Sequence, residues 1–230
     1  MKYYSHYIWE SGAAKGQNPV SLVLQQAKLR KGRCLLVCIC DGTRSIENEN
    51  LVSGYVTERL VEWFHGKYIP ALQMPMSGTN IRRMLEEELV KIEEELEEFG
   101  RQKDIAADYD ILGMTVQNDC FCCFWKGDCK GYIFNKRFNR KQRRNLKEVI
   151  CQKKEEGQMQ LVEGNLQKGV GILLCSPLFD GKLMEEEMLE VLSNEGLEDK
   201  EIGKRLRELW KENQQRGERG HAGAVFFRTE

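Results

Sequence analysis

The sequence predicts a layered α+β domain, and three observations carry that expectation. Strand-like apolar runs stand near the start and at the end of the chain, two segments of helical periodicity follow the early runs, and the middle switches to short strand-like runs separated by turns. In order, Val20 to Lys28 and Arg33 to Cys40 read as two strands joined by a short basic turn. The second is nearly continuous in apolar residues from Cys34 to Cys40, as a strand covered on both faces would be, and Asp41-Gly42 ends it abruptly. Between Leu51 and Phe64, the residues Val52, Val56, Leu60, Val61 and Phe64 recur at helical spacing. A second helix is expected from about Asn80 to Phe99, with Ile81, Met84, Leu85, Leu89, Ile92 and Leu96 on one stripe. Its other face carries Glu86 to Glu88, Glu93 to Glu95, Glu97 and Glu98, and reads as a solvated acidic surface.

Ile111 to Thr115, Cys120 to Trp125 and Tyr132 to Asn135 read as short strands. The basic stretch that follows (Lys136, Arg137, Arg140, Lys141, Arg143, Arg144, Lys147) interleaves only Phe138 as an aromatic, so it reads as a solvated loop and not as a nucleic-acid surface. Gly171 to Cys175 is a further buried strand, Glu185 to Leu192 and Asp199 to Gln214 are helices, and Ala222 to Arg228 is the closing strand. No linker, repeat or low-complexity tract interrupts the chain, so residues 1–230 are expected to form one domain.

Composition narrows the function classes. A formal net charge of −1 gives no field that would select nucleic acid or an anionic membrane, and no apolar run reaches the ~20 residues of a bilayer span. Met1 to His6 lack the apolar stretch of a signal peptide, so cytoplasm is the expected compartment. With nine cysteines and that compartment, a disulfide framework is not expected. Cys120, Cys122 and Cys123 include a Cys-x-x-Cys spacing, but Cys34, Cys38 and Cys40, the other cluster, lie in an apolar strand-like run. Buried thiols packing as small hydrophobes are expected in preference to zinc or redox chemistry.

Several segments carry a resemblance when read in order. Gly12-Ala13-Ala14-Lys15-Gly16-Gln17-Asn18-Pro19-Val20-Ser21 opens the set, and the apolar strand ending in Asp41-Gly42 follows. Then come Lys126-Gly127-Asp128-Cys129-Lys130-Gly131-Tyr132-Ile133-Phe134, Leu173-Leu174-Cys175-Ser176-Pro177-Leu178-Phe179 with Glu185-Glu186-Glu187 behind it, and Arg216-Gly217-Glu218-Arg219-Gly220-His221-Ala222. This succession resembles the signature segments of the metal-dependent 2C-type (PPM) Ser/Thr protein phosphatases, particularly their compact bacterial members. The resemblance implies an α-β-β-α sandwich of two antiparallel sheets flanked by helices. It also implies two manganese or magnesium ions, held by carboxylates, that activate a water for in-line attack on a phosphoryl group.

Against that pattern most of the implied ligands are missing. The family's opening Asp falls on Val20, the Asp of Ser-Asp-Gly on Pro177 with Leu178 in place of Gly, and the closing Asp-Asn pair on Gly220 and His221. The phosphate-gripping Arg falls on Lys15, a point charge without the bidentate fork. Asp41 with the Gly42 carbonyl, and Asp128, match vestigial metal positions, though Arg44-Ser45, after Thr43, replace the Gly-Gly that should follow. Asp180-Gly181 could stand in for the lost Asp-Gly through a three-residue slip, His221 could ligate a transition metal beside Asp41, and Asp41 could simply cap a turn. The resemblance therefore implies an impaired phosphatase, a pseudophosphatase without bound ions or with at most one weakly held. Its partners would be a phosphoprotein, a Ser/Thr kinase or a true phosphatase. The alternatives are an active phosphatase with a noncanonical ligand set, and a structural subunit of a complex.

Overall fold

The computed structural model describes residues 2–13, 17–30, 32–42, 49–73, 79–104, 107–135, 144–145, 158–179, 181–192 and 199–229. Two antiparallel sheets form its centre. The first has the order β1-β10-β9-β6-β7, with β1 (Tyr3–Glu10), β6 (Lys130–Asn135), β7 (Arg144–Asn145), β9 (Val170–Cys175) and β10 (Ala222–Thr229). The second has the order β2-β3-β4-β5-β8, with β2 (Val20–Leu29), β3 (Gly32–Asp41), β4 (Asp110–Gln117), β5 (Cys120–Lys126) and β8 (Gln160–Asn165). Helices α1 (Glu49–Trp63), α2 (Ile69–Gln73) and α3 (Thr79–Lys103) belong to the second sheet, and α4 (Glu185–Leu192) and α5 (Asp199–Gln215) to the first.

Alternation along β3 explains the layering. Cys34, Leu36, Cys38 and Cys40 pack under α1 and α3, while Leu35, Val37 and Ile39 meet the other sheet. Burial on both faces is why this strand reads as one unbroken apolar run, each large side chain contributing roughly 1.5–3 kcal/mol. A third cluster, with Leu173, Phe226, Leu206 and Trp210, glues the first sheet to α4 and α5. The result is the expected four-layer α-β-β-α arrangement.

Several expectations need correction. The first helix continues past Phe64 through a π-helical turn, Phe64–Tyr68, into α2. Tyr68 stacks on Trp63 and Phe64 there, with ring centroids 5.2 and 5.4 Å away. Strands β1 and β8 carry no clear sequence signal, because few of their residues are buried and the apolar alternation is diluted. The acidic face of α3 is not wholly solvated: Glu88 is buried, salt-bridged to Lys67 and 3.8 Å from Arg59. Cys120 is exposed, whereas Cys122 and Cys123 are buried as expected. Residues 136–143 and Lys147 of the basic stretch lie outside the described residues, as do Lys15, Asp180 and 43–45. No helix among the described residues is long and apolar enough to cross a membrane.

Candidate functional site

Register brings the first group of candidate residues together at one end of the second sheet. Asp41, the last residue of β3, lies opposite Val20 of β2 on one side and Asp110 of β4 on the other. Asp41 shares its face with Val37 and Ile39, and Asp110 shares the face of Leu112 and Met114, so both carboxylates belong to the side turned toward the first sheet. Both are buried, at 1% and 3% exposure. Asp110 then meets the turn after β5. Gly127 adopts φ +73°, and a β-carbon there would fall 1.7 Å from Asp110 Oδ1. The turn thus requires glycine for its backbone and for the space the carboxylate takes. Asp128, the next residue, is exposed.

Asn18 shapes the entry to β2. Its Oδ1 accepts the Val20 N–H at 2.9 Å, its Nδ2 donates to the Glu10 carbonyl at 3.2 Å, and Gly42 N–H donates to the Pro19 carbonyl at 3.1 Å. Trp9 Nε1 donates to the Val20 carbonyl at 2.6 Å. The backbone around Val20 is therefore held from three sides, and its side chain is directed into the sandwich. Val20 Cγ1 reaches so close to Gly223 of β10 that a β-carbon there would sit 2.7 Å away.

The second group lies where β9 leaves and β10 enters the first sheet. Ser176 is buried and ties the two strands: its N–H donates to the Gly223 carbonyl at 3.0 Å and its Oγ accepts the Gly223 N–H at 3.1 Å. Beyond it, Asn213 of α5 pins the loop, donating through Nδ2 to the Leu178 and Phe179 carbonyls and accepting the Lys182 N–H. Arg216 adds a bidentate pair with Glu187, at 2.7 and 2.8 Å, which holds that carboxylate at about 2, well below its ordinary range. So fixed, Leu178 lays its Cδ1 methyl against Gly220, where a β-carbon would sit 2.2 Å from it. His221 is buried, and its Nδ1 has no hydrogen-bond partner among the described residues.

These residues do not fit a two-ion centre. Val20, Pro177 and Gly220 supply no side-chain oxygen; the Val20 methyl is packed against Gly223 and the Leu178 methyl fills the space beside Gly220. Among the described residues no three His, Cys, Asp or Glu side chains are grouped to share a metal ion. Asp41 and Asp110 are brought together, whereas Asp128 and His221 complete no donor set with them. Asp110 is the residue the sequence reading missed. Its signal was faint, one of two Asp flanking Tyr109 at the head of the run Ile111 to Val116, and its importance depends on a cross-strand register that no motif spells out.

No family model and no curated protein matches the chain. Solved structures do. Stp1, a Ser/Thr phosphatase from Staphylococcus aureus, superposes with TM-score 0.75 at 13% identity over 100% of this chain and 96% of its own. The Mycobacterium tuberculosis Ser/Thr phosphatase PstP gives 0.71 at 12% identity over 99% of both. PppA, a key regulatory component of T6SS in Pseudomonas aeruginosa, gives 0.72 at 14% over 100% and 99%. The fold is therefore that of the bacterial Ser/Thr phosphatases, as the signature-like segments imply.

Proposed function

We propose that the chain is a pseudophosphatase, a phosphatase-fold module that binds and regulates components of Ser/Thr phosphorylation signalling without hydrolysing phosphate, with residues 1–230 acting as one domain. The observation that carries this reading is that Val20 packs its methyl against Gly223 and Leu178 its methyl against Gly220, where the resemblance calls for a metal-binding Asp and a Gly. Two divalent ions need several converging oxygens, and carboxylates tolerate such crowding only with the metal charge among them. Removing three of them leaves Asp41 and Asp110 as buried carboxylates of the sheet end. Fold likeness supports a partner drawn from the same signalling chemistry: a phosphoprotein, a Ser/Thr kinase or a true phosphatase.

A second reading, a noncanonical metal-dependent phosphatase, has one observation in its favour. Asp41 and Asp110 are paired across the strands at the end of the second sheet, with the unsatisfied Nδ1 of His221 at the entry to β10. Hydrolysis of a phosphothreonine peptide, with and without millimolar manganese, beside Asp41→Asn, separates the two. The pseudophosphatase gives the same background rate in all arms. A manganese-dependent rate lost in Asp41→Asn would establish the second reading.

A further inference from the structure

On the outer side of the second sheet, an open groove of about 410 Å³ runs between α3 and the edge strand β8. We infer that it is a docking site for a basic, amphipathic helical segment of a partner protein. Its α3 wall is the stripe Glu86, Val90, Glu93 and Glu97, and its opposite wall carries Met159 and Leu161. Helical rise sets Glu86 and Glu97 about 16 Å apart along one line, with Glu93 between them. Val90, between Glu86 and Glu93, is 50% exposed, an apolar side chain left on a charged stripe. The β8 edge has no further strand beside it among the described residues.

The groove already holds one cation, which supplies the chemistry of recognition. Lys126 Nζ sits 4.7 Å above the Tyr109 ring centroid, 3.4 Å from Glu93 and 3.7 Å from Asp108. Tyr109 floors the groove, and its buried hydroxyl has no hydrogen-bond partner among the described residues. Glu86 and Glu97 have no ion-pair partner among the described residues, so the rim keeps an uncompensated negative charge beyond what Lys126 offsets. Lysine or arginine side chains spaced to match Glu86 and Glu97, flanking an apolar residue set against Val90 and Leu161, complement it in charge and in polarity. Tyr109 immediately precedes Asp110, so the docked segment lies on the opposite face of the strand end that carries the candidate site.

The probe is a fluorescein-labelled amphipathic peptide whose lysines repeat the spacing of Glu86, Glu93 and Glu97, with a counterpart carrying glutamate for lysine. Fluorescence anisotropy on the full chain is expected to give saturable binding of the basic peptide alone. Glu86→Lys with Glu97→Lys raises Kd at least tenfold, whereas Glu201→Lys with Glu208→Lys on α5, an equal change of charge, leaves it unaltered. Amide shift perturbations cluster at Val90, Met159 and Leu161, and Val90→Asp repeats the loss should the double variant fail to fold. Equal loss in both charge variants, perturbations mapping elsewhere, a groove covered by a second copy of the chain in sedimentation, or no saturable binding would each overturn the inference.

Discussion

The Leu178 Cδ1 methyl occupies the space immediately beside Gly220, where a β-carbon would lie 2.2 Å from it. Two positions that differ from the phosphatase pattern are thus matched to each other: the leucine fits because its neighbour has no side chain. Gly220→Asp alone is expected to destabilise the chain by about 1–3 kcal/mol through overpacking. Combining it with Leu178→Ala should cost less than the sum of the single changes, a coupling of about 0.5–3 kcal/mol. Urea unfolding of the four proteins checks this, and strict additivity would contradict the packing.

At the other strand end, Gly127→Ala meets Asp110 Oδ1 and a positive φ together. A loss of about 1–3 kcal/mol is expected, with Asp110→Ala recovering the steric part and leaving the backbone part. Thermal unfolding of the single and double variants separates the two.

The Glu187–Arg216 pair predicts a pH dependence whose sign is fixed. Arg216 hydrogen bonds first, and the Met184 N–H second, lower the Glu187 carboxyl from its ordinary 4.5 to about 2. A lowered folded-state value means the contribution is present above pH 4.5 and is lost as pH falls from 4.5 toward 2. Carbon-detected titration of Glu187 should report about 2, returning toward 4.5 in Arg216→Met. A wild-type value near 4.5 would remove the clamp from the account of how the Leu178 loop is held.

Among the described cysteines, Cys120 alone is exposed, so it should be the one that a thiol reagent reaches in the native protein. Burial and the neighbouring Asp119 push its thiol above the ordinary value, so labelling at neutral pH should be slow and accelerate as pH rises. Cys122, pushed to about 12 chiefly by burial, should react only after unfolding. Mass mapping after limited labelling tests both.

The legible parts of this fold were those whose apolar residues recur at the period of the element. Val20 to Leu29, Gly32 to Asp41 and the α3 stripe announce themselves because core packing repeats at the period of the element. β1 and β8 did not: Tyr3–Glu10 leaves its aromatic Tyr7 and Trp9 exposed, which blurs its own alternation. Glu88 escaped for another reason: its counter-charge comes from Lys67 on the π-helical turn, a contact with no local trace. At the site, Asp41 and Val20 could be placed by motif, yet their pairing, and the inclusion of Asp110, follow from strand register. The space beside Gly220 and Gly223 is likewise a property of loops folded against each other.

The most direct test for the lack of a two-ion centre is a calorimetric titration of the full chain with manganese, in parallel with Asp41→Asn. No saturable heat is expected up to millimolar manganese in either protein. Two tight sites per chain, abolished by Asp41→Asn, would contradict it and mean that Asp41 and Asp110 have recruited ligands the phosphatase pattern does not name.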